Sequence, residues 1–394
     1  MNDKPIKLLF ASDSFKGSLT SLQTAMLLEK AANEVFGCCE CKSVAVADGG
    51  EGTVDAVVSA VSGKIVSADV HDPLMKRISA SYGLLDDNRA IIEMASASGL
   101  TLVPENLRNP LNTTTYGTGE LILHALDNGC RDITVAIGGS ATNDGGMGCM
   151  RALGVRFLDF PGNELEGFGR DLEKVDYIDT DNIDKRLGSC RITVMCDVRN
   201  PLCGENGAAR NFAAQKGADK KTVARLESGM QNYREVIKRR FNIDCDSVEG
   251  AGAAGGLGAA LKVFCSGEMR AGVDTVLDLI DFDSLLEGVD LVVTGEGRAD
   301  WQSAFGKVMS GVGKRAKAKG IPAIGLCGSL GKGAENIFSC GISSLITTVN
   351  APMTLDIAIE NAQGLYYDAA VRMFRLIKAG MTVREGREES EHLK

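Results

Sequence analysis

Two rhythms of apolar residues alternate along the chain. Short β-branched runs end in glycines and small polar residues, and between them lie stretches with an apolar residue every three or four positions. The first kind predicts strands at 6–10, 42–47, 77–85, 90–95, 132–137, 191–195, 290–294, 321–327 and 344–348. The second predicts helices at 21–36, 53–60, 121–128, 147–153, 222–240, 257–264 and 355–378. Thr20 and Gln23 stand at capping-box spacing at the start of the first helix. Runs 77–85 and 90–95 flank Asp86-Asp87-Asn88 as the arms of a β-hairpin would.

Strands alternate with helices at both ends of the chain, while the middle carries the hairpin and a different spacing. This predicts an α/β protein with one lobe built from residues 1–70 and 285–380 and a mixed α/β lobe, 71–284, inserted into it. Residues 381–394 read as a disordered tail. The length of 394 residues suits two domains better than one core.

Charge narrows the partners. The net charge of −9 and the absence of a long Lys/Arg run argue against nucleic acid and acidic membrane as partners. With no apolar stretch of spanning length and no signal-peptide pattern at Met1-Asn2-Asp3-Lys4-Pro5, a cytoplasmic location is expected. The twelve cysteines are dispersed and read as mostly reduced core residues. Cys38, Cys39 and Cys41 form their one cluster, and with only three histidines a metal is expected on carboxylates and phosphate rather than on a zinc site.

The candidate chemistry lies in the glycine-rich loops, which use many of the 47 glycines. Ile137-Gly138-Gly139-Ser140-Ala141-Thr142-Asn143-Asp144-Gly145-Gly146-Met147-Gly148 passes from a predicted strand into a predicted helix, as the floor of an anion site would. Ser12 to Ser18 carries Asp13, Ser14 and Lys16 between strand and helix, and Asp48 to Thr53 holds two carboxylates in a glycine turn. Such loops lie where open α/β sheets bind ligands. Asp197 and Asn200 flank a turn before Pro201, positioned either to ligate Mg²⁺ or orient a hydroxyl, or to form an Asx turn. Gly295 to Asp300 brings Glu296, Arg298 and Asp300 to another strand end, ahead of a basic helix with Lys307.

Loops of this kind suit phosphoryl transfer, although no Walker or protein-kinase motif is present. Three other readings stand beside it. Gly138 to Thr142 nearly matches a hydrolase nucleophile elbow, with Thr142 where glycine is needed. Gly250-Ala251-Gly252-Ala253-Ala254-Gly255 matches a dinucleotide fingerprint but follows the acidic Asp244 to Glu249 rather than a buried strand. A metabolite sensor without catalysis is the third.

Eight blocks in order carry a resemblance: SDSFKGSL (12–19), ADGGEGT (47–53), TTTYGTGEL (113–121), IGGSATNDGG (137–146), CDVRNPLCG (196–204), QKGA (215–218), GAGAAGGLG (250–258) and TGEGR (294–298). Together they resemble the bacterial glycerate kinase family of glyoxylate and glucarate breakdown. That resemblance implies two α/β domains, one of them flavodoxin-like with a parallel sheet, and an active site in the cleft. It implies ATP- and Mg²⁺-dependent phosphorylation of D-glycerate to 2-phosphoglycerate, with 3-phosphoglycerate or a related hydroxy acid as the alternative. Asp197, and then Asp48, are expected as the base, and Lys16 as a phosphate-neutralising group. Arg298, Ser14, Asn200, Glu296 and Asp300 are expected at the substrate. Gly138, Gly139, Ser140, Thr142, Asn143, Gln215, Lys216 and Lys307 are expected at ATP, and Asp48 and Glu296 at Mg²⁺. The oligomeric state is left open, a homodimer included. The chain departs from the family pattern at Trp301, Ser303, Ala304 and Phe305, where a histidine is usual nearby, and at Ala214 in place of a proline.

Overall fold

The computed structural model describes residues 5–86 and 88–392, with the side chains of 384–392 left aside, so Asp87 of the hairpin turn lies outside the described residues. The chain divides into a terminal unit, Met1–Asp48 with Val276–Lys394, and an inserted unit, Gly49–Thr275.

The terminal unit is built on a five-stranded, wholly parallel sheet in the order Ile342–Thr347, Ala323–Cys327, Leu291–Thr294, Ile6–Phe10, Cys39–Ser43. Numbered within the unit this is 2-1-3-4-5, the flavodoxin-like order, whose direction reverses between Ile6–Phe10 and Leu291–Thr294. Helix Ser21–Phe36 forms with the capping box at Thr20 and Gln23, and it buries Thr24, Leu28, Ala31, Ala32 and Val35 as one helical stripe. This stripe packs on the last helix, Ala362–His392, where Phe36 and Phe374 meet edge to face at 5.6 Å.

The inserted unit carries a six-stranded mixed sheet in the order Glu268–Arg270, Arg191–Met195, Asp132–Ala136, Arg89–Glu93, Arg77–Leu84, Lys64–His71. The first four strands are parallel and the last two add antiparallel edges.

Several expectations shift. The crossing expected at 70/71 and 284/285 falls at 48/49 and 275/276. Helix Thr53–Ala60 belongs to the inserted sheet because a Cβ on Gly83 would stand 2.6 Å from Val58 and 3.4 Å from Val54, while Glu93 accepts the Val54 amide at 2.8 Å. Lys64–His71, which was not among the predicted strands, is an edge strand that buries only Ala68 and Val70. The strand expected at 42–47 is Cys39–Ser43, an edge strand with little buried; the apolar run after it leaves the sheet once the Val44 amide has bonded Phe10. The helix expected at 355–378 is two, Leu355–Glu360 and Ala362–His392, and the backbone of the second is helical through most of the segment expected as a tail.

Candidate functional site

In the terminal unit the loops at the carboxyl ends of the parallel strands line one cavity of about 900 Å³. The two loops beside the reversal point are tied together, since the Asp13 amide donates to Gly295 at 3.0 Å. Asp13, Ser14, Lys16, Asp48, Glu296, Arg298, Asp300 and Lys307 line that cavity, and Asp13 lies among the charges of Asp48, Lys16 and Glu296. This is the crevice that a doubly wound sheet opens for ligands.

The electrostatics here are those of crowded carboxylates relieved by lysines. Burial and the neighbouring Asp48 charge push the Asp13 carboxyl from 3.8 up to about 6, against the pull of the Ser14 amide and Lys16. Glu296 is almost wholly buried; its Oε2 lies 3.4 Å from Lys307 Nζ, while its Oε1 has no hydrogen-bond partner among the described residues. Burial raises its pKa, and Ser303 and Lys307 oppose the rise. Lys307 is the N-cap residue of helix Val308–Ala318, so the helix start fixes its place. Arg298 is exposed on the short strand Arg298–Ala299, and a Cβ on Gly331 would lie 3.1 Å from its Nε. The glycine leaves the guanidinium room to lie against the backbone. Asp300 has a structural task as well, capping the turn Trp301–Ala304 with Ser303.

The inserted unit places the other expected residues at the carboxyl ends of Asp132–Ala136 and Arg191–Met195. The glycine loop there behaves differently from an open anion floor. Gly138 and Gly139 are exposed and Ser140 half-buried, whereas Thr142 and Asn143, expected at ATP, are wholly buried. The donors around the start of helix Met147–Ala152 are already taken by Asp144. Its carboxylate accepts from Thr115 N and Oγ1 at 2.7 Å each, from Gly146 N at 3.0 Å and from Gly148 N at 3.2 Å. Gly146 has φ +73°, and a Cβ there would come within 2.5 Å of Ala260. The anion of this loop is therefore an internal one.

Lys216, expected at ATP, is buried as well. Its Nζ donates to Ser140 Oγ at 2.7 Å and to Thr142 O at 2.6 Å, and burial pushes its pKa down to about 7 despite Asp144 nearby. In this structure it clamps the loop. Lys216→Met is expected to speed amide hydrogen exchange across 138–142 about tenfold, the loss of a hydrogen bond worth roughly 1.4 kcal/mol. Unchanged exchange would remove the clamp.

Asp197 is exposed and accepts the Gly272 amide at 2.9 Å. Asn200 forms its turn, donating to Asn206 O at 2.8 Å and accepting the Gly252 amide at 3.0 Å. Gln215 is exposed beside the buried Lys216. The dinucleotide-like glycines are packing residues: a Cβ on Gly255 would sit 2.1 Å from Thr142 O, and Gly255 O accepts the Gly145 amide at 2.9 Å. Asp13 is the residue that sequence reasoning left without a role. Its signal was a carboxylate in a strand-to-helix loop, which a simple turn shares. The unusual Trp301 and Phe305 are exposed, pair edge to face at 6.1 Å and do not line the cavity.

Residues 8–378 match the Glycerate kinase family. The chain is 44% identical to the Glycerate 2-kinase of Escherichia coli K12, over 96% of this chain and 98% of that one. It is 44% identical to a Glycerate kinase of Bacillus cereus, over 91% of this chain and 94% of that one. A crystal structure from Salmonella typhimurium LT2, provisionally named glycerate kinase 2, superposes with a TM-score of 0.87 at 43% identity, covering 96% of this chain and 100% of that one. The family match over residues 8–378 and the likeness to these relatives over more than nine-tenths of the chain agree: the chain belongs to the glycerate kinase family.

Proposed function

We propose that this enzyme transfers the γ-phosphoryl group of ATP to the 2-hydroxyl of D-glycerate at the charged cluster of the terminal-unit cavity. The observation that carries this reading is the meeting of Asp13, Asp48 and Glu296 with Lys16 and Lys307 at the sheet reversal. Phosphoryl transfer needs an acceptor for the hydroxyl proton and cations for the phosphate charge, and both are present there. Asp13, with a pKa near the operating range, takes the proton in this reading, in preference to Asp197, whose carboxylate holds the Gly272 amide. Lys16 and Lys307 neutralise the phosphates, and Ser14 and Arg298 orient the acid, the guanidinium by its planar fork. The product assignment follows the printed name of the Escherichia coli relative.

Magnesium fits this charged cluster in one way. No group of three or more potential metal-ligating His, Cys, Asp or Glu residues is found among the described residues, yet the buried Glu296 Oε1 has no partner. Asp48 and Glu296 would hold the ion only together with phosphate oxygens and water, as is usual for Mg²⁺. When bound it would neutralise phosphate charge.

A coupled ADP-release assay with D-glycerate, its product given to enolase alone, tests the whole reading. Direct consumption by enolase supports the 2-kinase; a requirement for phosphoglycerate mutase refutes the 2-position, and absence of turnover refutes the substrate. Arg298→Ala is expected to raise KM for glycerate at least tenfold with KM for ATP little changed, since it removes a charge-assisted bond worth about 1.5–3 kcal/mol. An unchanged glycerate KM would remove the carboxylate role.

A further inference from the structure

Two thiols in direct contact stand at the outer edge of the terminal sheet. Cys39 and Cys41 occupy alternate positions of strand Cys39–Ser43, so both side chains leave the same face, and their sulfurs lie 3.6 Å apart. That strand is the last in the sheet order, with Cys39 opposite Ile6 and Cys41 opposite Leu8 on its inner side. Cysteines such as Cys130, Cys149 and Cys265 are buried in a core, as expected of reduced thiols. Cys39 and Cys41 are only half-buried against the terminal core, and Cys38 before them is exposed. Burial, and Cys39 beside it, hold the Cys41 thiol well above its ordinary value of 9.0.

We infer that Cys39 and Cys41 form a redox modification site, a dithiol that a low-molecular-weight disulfide oxidises to an intramolecular disulfide. The Cys39 thiolate attacks one sulfur of the small disulfide, whose S–S bond breaks and releases one small thiol. Cys41 then gives its proton to water and attacks the Cys39 sulfur; the second small thiol leaves as the new S–S bond forms. Two protein thiols are oxidised, and one small disulfide is reduced to two thiols. The raised Cys41 thiol suits the second place, because it stays protonated until a mixed disulfide stands beside it. Closing the 3.6 Å contact to a bond of about 2.05 Å draws together two residues that an extended strand holds apart, so oxidation has to shorten the strand. A central strand would be held from both sides. This one pairs in the sheet with Ile6–Phe10 alone and has no buried residue, so it can give. A disulfide that has to bend its strand is readily reduced again, which makes the change reversible.

The whole enzyme, reduced and then held in oxidised glutathione, tests this. Lys30 and Lys42 bound one tryptic peptide, 31–42, that carries Cys38, Cys39 and Cys41. This peptide is expected to lose two hydrogen atoms, with fragment spectra placing the bond between Cys39 and Cys41. Amide exchange across 39–43 is expected to speed at least about tenfold as the edge pairing opens, and dithiothreitol should restore both. Cys38→Ser is expected to close as the wild type does, whereas Cys41→Ser should stop at a glutathione adduct on Cys39. The wild-type fragment spectra carry the assignment even where a variant fails to fold. A glutathione adduct on Cys38 with Cys39 and Cys41 still reduced, or a bond that includes Cys38, would overturn the site. Closure with exchange across 39–43 unchanged would overturn the shortening of the strand.

Discussion

Asp13→Asn is expected to lower kcat by about 10²- to 10⁴-fold, the usual worth of a positioned general base, and at the same time to raise the melting temperature at pH 7.5. The two effects have one source. In the folded enzyme the Asp13 carboxyl is pushed from 3.8 up to about 6, first by burial and then by Asp48. A raised acid holds its proton more firmly folded than unfolded, so its contribution to stability is present at low pH and is lost as pH rises from about 4 through 6. Above that window the ionised carboxylate is a liability of about 1 to 3 kcal/mol, which asparagine removes. Wild-type kcat/KM should rise with pH through a limb near 6, because a base works only when deprotonated, and the variant should lack that limb. Loss of activity together with loss of stability would mean that Asp13 is structural. Retained activity would return the base role to Asp197, whose own replacement by asparagine is expected to keep more than a tenth of turnover.

Asp144→Ala should produce the largest loss of stability in the molecule, at least about 4 kcal/mol, since four donors gathered by one buried carboxylate would be left without it. Set against the roughly 5–15 kcal/mol that holds a domain together, this is enough to leave the inserted unit largely unfolded at growth temperature. Asp144→Asn keeps an acceptor for part of the set and should lose less. Urea unfolding followed by a probe in the inserted unit measures both; a midpoint for the alanine variant within experimental error of the wild type would show that water or a neighbour can replace the carboxylate.

These two aspartates mark the limit of what the sequence determined. The repeated exchange of β-branched runs and helical stripes was enough to predict the α/β class and most elements, because core burial enforces periodicity residue by residue. Ser21–Phe36 and Arg191–Met195 are found at their predicted limits for that reason. The ordered blocks from Ser12 to Arg298 were likewise enough for the family. Edge strands such as Lys64–His71 escaped, since a strand with little to bury leaves a weak pattern and takes its identity from the partner it pairs with.

Only the tertiary structure decided which polar residues are free to act. Asp13 and Asp144 each sit in a loop between a strand and a helix, and nothing in their neighbours tells them apart. Asp13 faces Asp48, Lys16 and Glu296 across a cavity, with its proton held by repulsion and burial. Asp144 is enclosed by amides from two segments and serves as the anion of its own loop, just as Lys216 is spent on Ser140 and Thr142. Whether a carboxylate or an ammonium meets a substrate or the protein depends on what the rest of the chain brings within 3 Å of it. That is settled by packing between segments distant in sequence, and local spacing carries no record of it.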